Sequence, residues 1–144
     1  MSNVTHIFEL NTEAVEHHLI SKSANLIITT RGTAGEENTY MASEWGEYNH
    51  VEGFETGTDK IKVPLALIQE ICTEQGATAT TLTKGELPAA KFSDEGDTIY
   101  WNAAQNQLLY MPANIGTGDI HAVCILILDG TPAPPLAATD IEIV

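Results

Sequence analysis

Gly96-Asp97-Thr98-Ile99-Tyr100-Trp101-Asn102-Ala103-Ala104-Gln105-Asn106-Gln107-Leu108-Leu109 is the stretch from which the fold class of this chain is read. An acidic, glycine-containing turn, Ser93-Asp94-Glu95-Gly96-Asp97, leads into a β-branched and aromatic run. A polar loop rich in Asn and Gln follows, and then a second apolar run, Leu108-Leu109-Tyr110-Met111. Two strand-prone runs joined by a short polar loop predict a β-hairpin, because β-branched and aromatic side chains suit a pleated, half-buried surface. Tyr100 and Trp101 are consecutive, so a strand sends them to opposite faces. One can fill the core while the other packs in an exposed patch on the opposite face.

Outward from the hairpin, Ala122-Val123-Cys124-Ile125-Leu126-Ile127-Leu128 is the most apolar run and is flanked by glycine turns, which predicts a central buried strand. Thr131-Pro132-Ala133-Pro134-Pro135 cannot join a sheet and is read as a rigid connector. Asp140 to Val144 alternates, with Ile141 and Ile143 on one face of a closing strand. Between Lys60 and Gln75 two patterns compete. Ile61, Val63, Leu65 and Leu67 alternate as in a strand, while Pro64 at a helix start, Leu65, Ile68, Ile71 and Cys72 on one face, and Gly76 beyond the end describe a helix. A strand to Val63 followed by a helix from Pro64 to Gln75 satisfies both. Gly76 to Gly85 reads as an edge strand or an extended linker.

Asn25 to Thr30 is a further β run. The glycine-punctuated span from Gly35 to Gly57 is too long for a plain loop and predicts short strands or a surface lobe. Before it, Ile7-Phe8-Glu9-Leu10 is open to an extended reading, and Thr12 to a cap for a short helix over 13–20. The expected organisation is an N-terminal arm or short helix over 1–24 and one mainly β domain over 25–144. That domain is a small β-barrel or β-sandwich with one or two short helices.

Net charge is the compositional outlier at −14, from six Lys/Arg against twenty Asp/Glu in 144 residues. Nucleic acid and anionic membranes call for clustered cations, so neither is an expected partner. No basic residue lies beyond Lys91, which leaves the C-terminal third purely acidic in its charges. Like-charge repulsion that keeps the protein soluble is one reading, and an acidic face meeting a basic partner is the other. The N-terminus has no basic region followed by an apolar one, and no apolar run reaches about 18 residues, so neither a secretion signal nor a membrane helix is expected. Cys72 and Cys124 sit among aliphatic residues and read as buried free thiols.

Catalytic patterns are missing. The five histidines show no HExxH or Cys/His spacing, there is no GxSxG, and Gly32-Thr33-Ala34-Gly35 lacks the Gly-Lys-Ser/Thr ending of a phosphate loop. Acidic pairs such as Glu36-Glu37 and Asp94-Glu95 read as solvated turns. No catalytic, cofactor-binding or metal-ligating residue is therefore expected, and no cofactor.

The C-terminal half also resembles small phage capsid cement (head decoration) proteins. The resemblance rests on Leu87-Pro88-Ala89, Gly96 to Asn102, Ala103 to Gln107, Ile115-Gly116, Ala122 to Leu128 and Ala137 to Val144. It implies a virion structural protein, made in the host cytoplasm and seated as a homotrimer on the outer capsid surface. There it would bridge major capsid protein subunits without catalysis. In that setting the arm residues Ile7, Phe8 and Leu10 and the hairpin residues Tyr100 and Trp101 are the expected capsid or protomer contacts. The alternative is a β-sandwich binding module for a carbohydrate or other small ligand, with Tyr40, Trp45 and Tyr48 as a stacking platform.

Overall fold

The computed structural model describes residues 5–9, 28–42, 45–46 and 49–144. Ten strands among them form two five-stranded mixed sheets. The strands are β1 (Thr5–Glu9), β2 (Ile28–Arg31), β3 (Glu37–Met41), β4 (Asn49–Glu52), β5 (Lys60–Val63), β6 (Gly85–Glu86), β7 (Thr98–Asn102), β8 (Gln107–Met111), β9 (Val123–Asp129) and β10 (Ile141–Ile143). One sheet runs β1-β3-β5-β10-β6 and the other β2-β4-β9-β8-β7. Both supply side chains to a single core: Tyr40, Ile61, Val63, Ile141 and Ile143 from the first, Val51, Ile99, Leu108, Tyr110, Leu126 and Leu128 from the second. The fold is thus mainly β, as expected, and open rather than a closed barrel.

From β1 to β5 the chain alternates between the two sheets. Each return to a sheet lays a strand parallel to the one before it, so β1/β3, β3/β5 and β2/β4 are all parallel pairs. A parallel pair needs a crossover, and here the crossover is a strand of the opposite sheet where a helix would serve elsewhere. The span from Gly35 to Gly57 accordingly holds β3 and β4, and Tyr40, Ala42, Trp45, Val51 and Phe54 from it are buried core. It is not a surface lobe. Within the arm anticipated over 1–24, Thr5–Glu9 forms β1 on the edge of the first sheet, with Ile7 opposite Thr39 and Phe8 opposite Tyr40. Leu10 and the helix expected over 13–20 lie outside the described residues, as does the start of the β run at Asn25.

The competition between strand and helix at Lys60 resolves as both. Strand β5 ends at Val63, Pro64 caps the next element in an extended conformation, and helix α1 spans Leu65–Gln75. Pro64 is suited to this position because its fixed φ and missing N–H cost nothing before the first turn. Gly76 ends the helix at φ 66°, where a Cβ would be strained. The buried face is Leu67, Ile68, Ile71 and Cys72, with Leu65 only partly covered. After the helix, 77–84 is an extended linker.

Two loop features hold this frame. In the turn between β2 and β3, a Cβ on Gly32 would overlap the Tyr40 hydroxyl and the Asn38 side chain. Elsewhere, three aspartates are buried and act as loop latches. Asp59 accepts from the backbone N–H and side-chain amide of Asn38, both at 3.0 Å, and from the Glu55 N–H at 2.8 Å. Asp140 accepts from the Thr56 hydroxyl, the Gly57 N–H at 2.9 Å and the Ala137 N–H at 3.0 Å. Asp97, 5% exposed, accepts from the Thr80 hydroxyl (2.5 Å), the Thr81 N–H and hydroxyl (2.7 and 2.5 Å) and the Tyr110 hydroxyl (2.7 Å). Burial alone would raise the Asp97 pKa, but these donors outweigh it and hold the carboxyl below its ordinary value.

Two stability predictions follow from this frame. Gly32→Ala should destabilise the fold by about 1–3 kcal/mol in denaturant unfolding, because the Tyr40 hydroxyl and the Asn38 side chain must move. Asp97→Asn should cost about 1–3 kcal/mol at neutral pH. Since the folded-state pKa of Asp97 is depressed, its contribution is present above the unfolded carboxyl value of about 4 and is lost as pH falls through the folded value. The gap between wild type and Asp97→Asn should therefore close in acid. A gap independent of pH between about 7 and 3 would refute the assignment.

Candidate docking face

The hairpin read from sequence is the antiparallel pair β7/β8, with Asn102 opposite Gln107 at its closed end. Asn106 makes the turn at φ 58°, a left-handed conformation Asn tolerates. Its side-chain amide donates to the carbonyls of Leu128 (2.7 Å) and Gly130 (3.0 Å), so the hairpin tip is pinned to the end of β9. At the other end, Tyr110 joins the Asp97 latch and lies 3.5 Å from the Cys72 thiol on α1. Burial, then hydrogen bonds with Cys72 and Asp97, push the Tyr110 hydroxyl pKa well above its ordinary value, so it stays protonated and donates.

Register sorts the hairpin into two faces. Ile99 pairs with Tyr110 and Trp101 with Leu108, and this inner set reaches the core. Tyr100 pairs with Leu109, Asn102 with Gln107 and Thr98 with Met111 on the outer face. Between Leu108 and Leu109 the pairing with β9 shifts by one residue at a bulge. The displaced Ile125 carbonyl is satisfied by the Asn49 side-chain amide at 3.1 Å and the Gly46 N–H at 3.3 Å. The bulge keeps Leu126 and Leu128 inward while Cys124 pairs with Leu109 on the outer side.

The outer face of this sheet thus gathers half-buried Tyr100, Leu109, Met111 and Ile127 around Asn102 and Gln107. Neither β7 nor β8 contains a charged residue. On this sheet charges appear at the end of β9 and on the strands beyond it, in pairs. His50 Nδ1 lies 2.7 Å from Asp129 Oδ1, and the Arg31 guanidinium lies 3.4 Å from Glu52. In a chain of net charge −14, this is a neutral, partly apolar surface with a locally compensated rim. Of the expected contact residues, the structure places Tyr100 here and sends Trp101 to the core side. Ile7 and Phe8 lie on the far edge of the other sheet. The His50–Asp129 pair carried no signal in the sequence, being joined only by the parallel pairing of β4 and β9.

The aromatic platform does not assemble as expected. Tyr40 is fully buried, its ring 6.1 Å from that of Phe54, and Trp45 is 9% exposed, because both belong to the core. Tyr48 lies outside the described residues. Burial, with Asp59 adding to it, pushes the Tyr40 hydroxyl pKa up to about 12. No group of three or more metal-ligating side chains occurs among the described residues. Both cysteines are buried thiols. No described helix is long and apolar enough to cross a membrane.

Comparison with known proteins finds no match for this chain among family models, curated proteins or solved structures.

The two-faced hairpin makes a paired prediction. Trp101→Ala should cost about 2–4 kcal/mol of unfolding free energy, whereas Tyr100→Ala should cost about 1 kcal/mol or less. Equal losses, read from denaturant midpoints at constant slope, would mean that the faces are wrongly assigned.

Proposed function

We propose that this protein is a virion structural protein that decorates an icosahedral phage capsid from its outer surface, bridging major capsid protein subunits as a homotrimer. The supporting observation is the uncharged outer face of β7 and β8 on an otherwise strongly acidic chain. An edge strand is ordinarily guarded by charge, and β7, at the edge of its sheet, carries none, which suits a protein neighbour. The acidic remainder of the surface would keep decorated particles apart. The role is one of binding, with no chemical step. A protein that binds only the assembled lattice stabilises it by its binding free energy, and contact with several subunits at once multiplies the effect. The alternative, a carbohydrate-binding module, is weakened by the burial of Tyr40 and Trp45, which leaves the anticipated stacking platform without two of its three rings.

Light scattering and capsid co-sedimentation test the proposal together. The expected result is a mass near three times the 15.5 kDa chain, in solution or on the lattice, and saturable co-sedimentation with undecorated heads of the cognate major capsid protein. A Tyr100→Lys/Leu109→Lys double variant should fold and lose at least tenfold in binding. Failure of the wild-type protein to bind such heads would refute the reading.

A further inference from the structure

A cleft of about 550 Å³ opens beside the first half of β9. Its walls come from three parts of the chain: Trp45 and Gly46, the end of α1 at Glu74 and Gln75, and Asp119 with His121 to Cys124 at the entry to β9. The geometry is fixed by local bonds. The Gln75 side-chain carbonyl accepts the His121 N–H at 2.8 Å and so ties the loop to the helix end. His121 Nδ1 lies 2.9 Å from the Asp119 carbonyl, which can only accept, so this nitrogen carries a proton.

Several independent features make this cleft electronegative. Glu74 and Asp119, both exposed, line it. Helix α1 directs its C-terminal end there, where the backbone dipole is negative, and has no basic residue in its last turn. A cation is favourable in the last turn of a helix, so the carboxylate of Glu74 is electrostatically unfavourable there. Of the six basic residues, the five within the described residues all lie elsewhere. The volume falls in the range that admits a whole side chain.

We propose that this cleft receives one cationic side chain, a lysine ammonium or arginine guanidinium, presented by a basic protein surface. The carboxylates of Glu74 and Asp119 would hold the charge, and the apolar floor of Ala122 and Val123 would pack the aliphatic stem, as long basic side chains prefer. A partner residue would then supply the positive charge that the end of α1 lacks. The inference does not rest on the capsid reading, which stands or falls on co-sedimentation.

The test is a titration of the full-length, isotope-labelled protein with a capped Gly-Arg-Gly tripeptide, followed by backbone amide NMR shifts. Saturable shifts at Glu74, Gln75 and Ala122 are expected, with no comparable response to the citrulline tripeptide, which keeps the shape and lacks the charge. Glu74→Gln/Asp119→Asn should weaken binding at least tenfold. Asp94→Asn/Glu95→Gln, in an exposed turn before β7, should leave it unchanged, which separates a site from general attraction to an acidic protein. The spectrum of each variant reports its fold. The proposal is overturned if the citrulline peptide binds equally or if both double variants weaken alike. It is also overturned if methylguanidinium binds as tightly as the tripeptide, since the cleft would then read a free cation and not a protein-borne one.

Discussion

A carboxylate that is 5% exposed is tolerable only if donors replace the water it has lost, and Asp97 is placed where four of them converge. Thr80 and Thr81 come from the extended linker after α1, and Tyr110 comes from β8 of the second sheet. The Tyr110 hydroxyl in turn meets Cys72 on the helix. One charge therefore fixes a helix, a linker with no regular hydrogen bonding of its own, and the hairpin that carries the uncharged outer face. Its left-handed backbone, φ 53°, is the local strain that this convergence sustains. Asp59 and Asp140 do the same for the loops around 33–38, 53–59 and 137–140. In a domain with no disulfide among its described residues, buried carboxylates take over the task of holding loops in place.

This divides the acidic residues into two populations with opposite roles. Asp59, Asp97 and Asp140 are internal and fully engaged. The other described carboxylates are exposed or half-buried and give the surface its negative field, which repels other acidic bodies and attracts basic ones. Against that field, the uncharged outer face of β7 and β8 and the electronegative cleft at the end of α1 are two different kinds of surface. The first can approach a neighbour of either charge without an electrostatic penalty. The second discriminates for cations. A protein that must seat in one orientation gains from having both, because one supplies contact area and the other supplies register.

Elements whose signals are local were legible in the sequence. Pro64 and Gly76 bracket the helix, Ala122 to Leu128 marks the central strand, and the Asn/Gln loop marks the hairpin. The split of Tyr100 and Trp101 between faces follows from adjacency alone. Pairings between distant strands were not legible, because parallel partners such as β5 and β10 have no turn between them to announce the pairing. For the same reason Tyr40 and Trp45 read as available aromatics: their burial comes from strands that alternate between two sheets, which spacing cannot disclose. The latching aspartates were hidden by composition. Among twenty carboxylates, nothing in the sequence marks Asp59, Asp97 and Asp140 as buried, and the donors to Asp97 at Thr80 and Thr81 reach it from a separate segment.

The position of β10 has a consequence for how the molecule comes to exist. It lies between β5 and β6, parallel to the first and antiparallel to the second, with Ile141 and Ile143 in the core. During synthesis, β5 leaves the ribosome long before the strand that must lie beside it. Until residue 143 emerges, β5 lacks its partner on one side and β6 has no strand to pair with. Closure of such a distant pair carries a large loop entropy, so assembly should be slow for a domain of this size, in the millisecond-to-second range typical of non-local β topologies. The nascent chain must therefore keep that edge from pairing wrongly while it waits. Lys60 and Lys62, two of only six cations in the whole chain, both lie on β5, where charge discourages foreign strands.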